Sequence, residues 1–146
     1  MKYPAPHSIL GLSLTSRTER DYVIAALRGE LDVASAPTLR ERLLGLLRPA
    51  ASRLIVDLSA VSYADASGLT VLVGAGRRAG LLGGSLRLAA PSPEVARVLS
   101  ITGLHRHFDT FPTVQAAMTV DLLLHSASCM TGFVIKAPRE VVAHPD

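Results

Sequence analysis

The sequence predicts one α/β domain. Short runs with strand character are interleaved, after an initial pair, with runs whose apolar residues recur every three to four positions. Strands alternating with helices form parallel pairs joined by right-handed crossovers. Composition agrees: 49% of the 146 residues are hydrophobic but only 4% aromatic, so the core must be aliphatic. A chain of this length buries a core of its own, and 18% charged residues is a globular rather than a disordered composition.

Residues 9–17 (ILGLSLTSR) and 22–31 (YVIAALRGEL) flank the polar TERD as the arms of a hairpin. The period then changes. Ser35 is placed to cap a helix, Pro37 suits its first turn, and Leu39, Leu43 and Leu46 or Leu47 make its apolar face before Pro49 ends it. Residues 53–59 (RLIVDLS) form a continuous apolar run, as a strand covered on both faces requires. A helix over 68–80 follows, with Arg77 and Arg78 in the last turn where cations complement the helix dipole. Residues 85–90 read as a strand, 92–103 as a helix with Ser92 as cap and Gly103 as terminator, 107–111 as a strand and 113–124 as a helix. The order β-β-α-β-α-β-α-β-α gives about five strands and four helices. The domain is expected over 9–124, with 1–8 and 125–146 as extensions; the latter is read as disordered, or as an added strand that pairs copies into a dimer.

Several function classes lose support. The formal charge is only +3, and no basic run is interleaved with aromatics that bases could stack on, so direct nucleic-acid binding is not expected. The single Cys129 can neither pair within the chain nor build a multi-thiolate metal site, and it fits a reducing compartment. The opening MKYPAPHSILGLSL lacks a signal peptide's apolar core and cleavage site, and charged or turn residues break every apolar run before a membrane span's length. A cytoplasmic protein with no membrane contact is expected.

The chemistry-bearing stretch is SYADASGL, residues 62–69, where a buried strand gives way to a helix. Loops at the carboxyl ends of strands are where α/β sheets meet ligands and partners. Ser67 there could be a helix cap, a nucleophile or the carrier of an added charge. A phosphate on it would gain from amides lacking intrahelical partners and from the dipole. Gly68 would leave room for an approaching enzyme, while Asp65 reads as a functional carboxylate or as a cap or turn residue, and Asp32, at the previous strand end, as a functional carboxylate or an Asx-turn residue. Asp65 and Ser67 with His105 or His107 can be drawn as a hydrolase triad, but the flanking glycines of a nucleophile elbow are missing. His105 and His107 alone make a thin metal site and read as loop or strand residues. GAGRRAG (74–80) lacks the lysine of a phosphate loop and reads as close helix–sheet packing.

GELDVASAPTLRERL (29–43) followed by LIVDLSAVSYADASGLTVLV (54–73) resembles the STAS domain of anti-sigma factor antagonists, over about residues 10–124. The resemblance implies a small mixed sheet backed by helices. It also implies a non-enzymatic regulator that binds an anti-sigma factor when unphosphorylated and so frees a sigma factor. The anti-sigma factor would double as the serine kinase, a metal-dependent serine phosphatase would reset the switch, and this chain would need no cofactor. A monomer is implied. The family's phosphorylated serine directly precedes the glycine of D-[ST]-S-G, which places it on Ser67; Ala66 departs from the pattern by lacking a hydroxyl. Partner contacts are then expected at Asp32, Asp65, Ala66, Gly68 and Thr70. A phosphoserine at roughly 6 Å from Asp65 would be repelled by about 1.4 kcal/mol in water and about 5 kcal/mol at an effective dielectric of 20. Free protein tolerates that; a partner that dries the site does not. The other readings are a non-switching STAS scaffold or accessory subunit in a transporter or signalling assembly, and the small hydrolase.

Overall fold

The computed structural model describes residues 8–9 and 11–119. Six strands form one sheet in the order of the chain: β1 (Ser8–Ile9), β2 (Leu12–Glu19), β3 (Tyr22–Leu31), β4 (Arg53–Ala64), β5 (Ser85–Ala89) and β6 (Asp109–Phe111). Between β1 and β2 and between β2 and β3 the pairing is antiparallel; from β3 to β6 it is parallel. The helices are α1 (Ala36–Leu46), α2 (Ala66–Leu81), α3 (Pro93–Thr102) and α4, described over 114–119. The sheet is therefore mixed and mostly parallel, with four helices against it, as the α/β pattern predicts. Residues 1–7, Cys129 and the whole 125–146 extension lie outside the described residues, as does the end of the helix expected over 113–124.

Periodicity explains the layering. Leu39 and Leu43 of α1, Leu69, Leu72, Ala75 and Ala79 of α2, and Val95 and Leu99 of α3 are all buried, and they share one cluster with Leu54, Val56 and Leu88 of the sheet. The odd-numbered neighbour of that pattern, Ile55, points the other way, into a second cluster with Tyr22, Ile24, Phe111, Ala117 and Met118. The continuous LIV run of β4 is thus covered on both faces. Two guanidiniums close the second cluster: Arg53 donates to Tyr22 Oη at 3.1 Å, and Arg87 donates to the same oxygen at 3.0 Å and to the Ala117 carbonyl at 2.6 Å. Arg87 therefore ties α4 to the sheet.

Some boundaries differ from expectation. The strand expected over 9–17 is divided, because Gly11 takes φ +91° and folds β1 back on β2. β4 continues to Ala64 instead of stopping at Ser59, since register shifts opposite Ala26–Arg28 and Gly29–Glu30 keep it paired with β3 to the end. The strand expected from His107 starts at Asp109; before it, Leu104–His107 is a 3₁₀ turn entered through Gly103, whose φ of +79° ends α3. Ser92 caps α3 as expected, accepting from Val95 N at 3.2 Å.

Candidate functional site

Two β-to-α turns stand side by side at the carboxyl ends of β3 and β4. Leu31 pairs with Ala64 in the parallel ladder, so Asp32 and Asp65 follow at adjacent strand ends. Asp65 N then donates to Leu31 O at 3.0 Å, which stitches the second turn to the first strand.

In the first turn Asp32 Oδ1 accepts from Ser35 N at 3.0 Å, while Ser35 Oγ accepts from Asp32 N at 3.1 Å and donates to Glu30 O at 3.1 Å. Ala36 N donates to Asp32 O at 3.0 Å, so the chain is already coiling before α1. Ser35 occupies the N-cap position with helical dihedrals (φ −89°, ψ −13°), and its side chain caps no amide of α1. The expectation that Ser35 caps the helix is corrected: the carboxylate of Asp32 orders this turn in Asx fashion, and the Ser35 hydroxyl is spent inside it, fully buried.

The second turn uses the same device differently. Asp65, in extended conformation, is the N-cap of α2, and its Oδ1 accepts from Gly68 N at 3.0 Å. Ser67 is the second residue of the helix and is exposed, so it is not the cap. With Asp65 N and Gly68 N satisfied, the amides of Ala66 and Ser67 are left for whatever approaches the helix end. Ala66 and Thr70 are exposed on the same turn, and Thr70 Oγ1 donates back to Ala66 O at 2.6 Å.

Gly68 has a different reason from the one expected. It is buried, and a Cβ on it would stand 2.5 Å from both the carbonyl carbon and oxygen of Leu31. The absence of a side chain lets α2 seat directly on the end of β3; it opens no path to the Ser67 hydroxyl. That seating also fixes which way Ser67 faces, because its neighbour Gly68 points into the sheet.

Reading the sequence missed Val33 and Tyr63. Both are large apolar residues at this end of the sheet, yet they are 68% and 49% exposed. Val33 follows Asp32, and Tyr63 lies opposite Glu30 two residues before Asp65. Their signal was present as an apolar residue beside each turn carboxylate, in DVAS and in SYAD.

His105 and His107 are not brought to Ser67. They belong to the 3₁₀ turn that follows α3, at the end of the sheet where the strands begin, and His105 Nδ1 lies 3.3 Å from Leu99 O. The hydrolase triad is therefore not assembled. Among the described residues no group of three His, Cys, Asp or Glu side chains is placed to hold a metal, and no helix is long and apolar enough to cross a membrane.

Comparison with known proteins finds relatives of this domain. The chain is 45% identical over 78 residues to the anti-sigma-B factor antagonist of Bacillus subtilis (strain 168), covering 53% of this chain and 71% of that one. It is 30% identical over 95 residues to the anti-sigma-B factor antagonist of Staphylococcus epidermidis, covering 65% and 88%. The crystal structure of an anti-sigma factor antagonist from Mycobacterium paratuberculosis superposes with a TM-score of 0.68 at 26% identity, over 81% of this chain and 97% of that one. The family model for the STAS domain matches residues 13–117, from β2 into α4, with the Asp32 and Asp65 turns inside it; the chain belongs to the STAS domain family.

Proposed function

We propose that this protein is an anti-sigma factor antagonist switched by phosphorylation of Ser67. Unphosphorylated, it binds an anti-sigma factor through the Asp32 and Asp65 turns, with Ala66, Thr70, Val33 and Tyr63 as contacts, and a sigma factor is released for transcription. The anti-sigma factor is also the serine kinase; its ATP and metal are its own, and this chain acts as a regulator without catalysis or cofactor. A serine phosphatase restores the binding form.

One observation carries the reading: Ser67 is exposed at the second position of α2, between a capping carboxylate and a glycine wedged on the sheet. The hydroxyl is open to an enzyme, while the backbone around it is held. Added phosphate brings about −1.5 to −2 charges near Asp65, whose carboxylate its hydrogen bond to Gly68 N keeps in place. Free in water, the pair repels weakly; under a docked partner the repulsion rises several-fold as the dielectric falls. A loss of about 1.4 kcal/mol is already tenfold in affinity, so the complex breaks without the domain refolding. Named relatives support the antagonist role, and two of them are anti-sigma-B factor antagonists.

The test is to incubate the protein with its cognate anti-sigma kinase and ATP, then locate the phosphate by mass spectrometry. Phosphate on Ser67, absent from the Ser67→Ala protein, is the expected result. Phosphate elsewhere with Ser67 untouched overturns the switch. Stable co-purification with a transporter or signalling assembly, indifferent to ATP, would favour an accessory subunit instead.

A further inference from the structure

Four large hydrophobic side chains stand exposed among the described residues, and they fall at opposite ends of the fold. Val33 and Tyr63 lie where the strands end; Leu81, 80% exposed, and Ile101, 74% exposed, lie in the last turns of α2 and α3, where the strands begin. α2 has sixteen residues and so separates the two ends by about 24 Å. Along the turns and helices that carry these residues the charges divide the same way, although Glu19, Asp21 and Asp109 also lie where strands begin. Residues 30–36, 62–68 and 90–94 carry Glu30, Asp32, Asp65 and Glu94 and no Lys or Arg. Residues 77–82 and 97–107 carry Arg77, Arg78, Arg97 and Arg106 and no Asp or Glu.

The cationic side chains flank the aliphatic pair. Arg77 precedes Leu81 by four residues on α2, and Arg97 precedes Ile101 by four on α3, so each helix presents an arginine one turn from an exposed aliphatic. Arg106 follows in the 3₁₀ turn, which packs on α2. One end thus carries exposed aliphatics together with arginines, and the other carries exposed apolar residues together with carboxylates.

We propose that the arginine-flanked end of α2 and α3 docks on the carboxylate-flanked end of a second copy of this chain, head to tail. The pairing does not require Ser67 to be phosphorylated. Two different surfaces meet, so the contact is heterologous and each copy keeps one end open for another. The patches are small, which makes the association weak and concentration-dependent. Opposite charges around the rim make it salt-sensitive. Docking this way covers Ser67 in every copy but the terminal one.

Sedimentation velocity on the full chain tests it with two double variants. Leu81→Gln/Ile101→Gln removes the apolar centre of one end, and Val33→Gln/Tyr63→Gln that of the other. Wild type should exceed one protomer in average mass as concentration climbs from roughly 10 μM to 1 mM, the range of a weak contact, and fall back at high salt. Each variant alone should stay monomeric, and their equimolar mixture should form a capped dimer and nothing larger. A monomeric wild type, a variant that still associates alone, or a mixture that stays monomeric overturns the proposal. Circular dichroism checks folding; if a glutamine variant is unfolded, Arg77→Glu/Arg106→Glu replaces it at one end and Glu30→Lys/Glu94→Lys at the other.

Discussion

The turns after β3 and β4 start from the same plan and end with opposite serines. Each begins with an aspartate whose carboxylate accepts from the amide three residues on, 3.0 Å away in both cases. In the first turn that third residue is Ser35, whose hydroxyl is drawn inward to Glu30 O and sealed. In the second it is Gly68, pressed on Leu31, and the serine comes one residue earlier and faces outward. A shift of one position separates a structural hydroxyl from an accessible one. What decides it is the residue that must face the sheet: a serine that can hydrogen-bond there, or a glycine that leaves no room for anything else.

Five substitutions sharpen that contrast, read by urea unfolding. Gly68→Ala should cost the most, about 3 kcal/mol, because its methyl meets backbone that cannot yield like a side chain. Ser35→Ala follows, at about 2 kcal/mol, since it deprives Asp32 N and Glu30 O of a buried partner. Asp65→Ala removes the cap of α2 and should cost about 1 kcal/mol, whereas Asp65→Asn keeps the cap within a few tenths while removing the charge. Ser67→Ala should change stability by less than about 0.5 kcal/mol, because an exposed hydroxyl outside the cap supports nothing in the fold. If Ser67→Ala proved as costly as Ser35→Ala, the distinction between the two turns would be lost.

Much of this was legible in the chain. Alternation of strand and helix periods gives the sheet and its helices, and the aliphatic LIV run announces a strand buried on two faces. Ser92, Pro93 and Gly103 mark α3 because each acts through its own backbone geometry. The signals that failed were those decided by tertiary contact. Serine before a helix says nothing about whether its oxygen turns in or out, and the Ser35 hydroxyl is taken up inside the Asx turn that Asp32 orders, leaving α1 without a side-chain cap. Gly68 looked like open space because sequence shows no neighbour; its neighbour is Leu31, thirty-seven residues earlier. β4 ran past Ser59 because β3 was there to pair with it, and exposure at Val33 and Tyr63 follows only once the strand ends are placed.

The charge on Ser67 is the centre of the account, and titration calorimetry reaches it directly. The cognate anti-sigma factor would be titrated into the protein carrying serine or phosphoserine at position 67, with Asp65→Asn as a companion. The account predicts at least a tenfold loss of affinity on phosphorylation, partly restored when Asp65 loses its charge. Equal affinity for the serine and phosphoserine forms would contradict it.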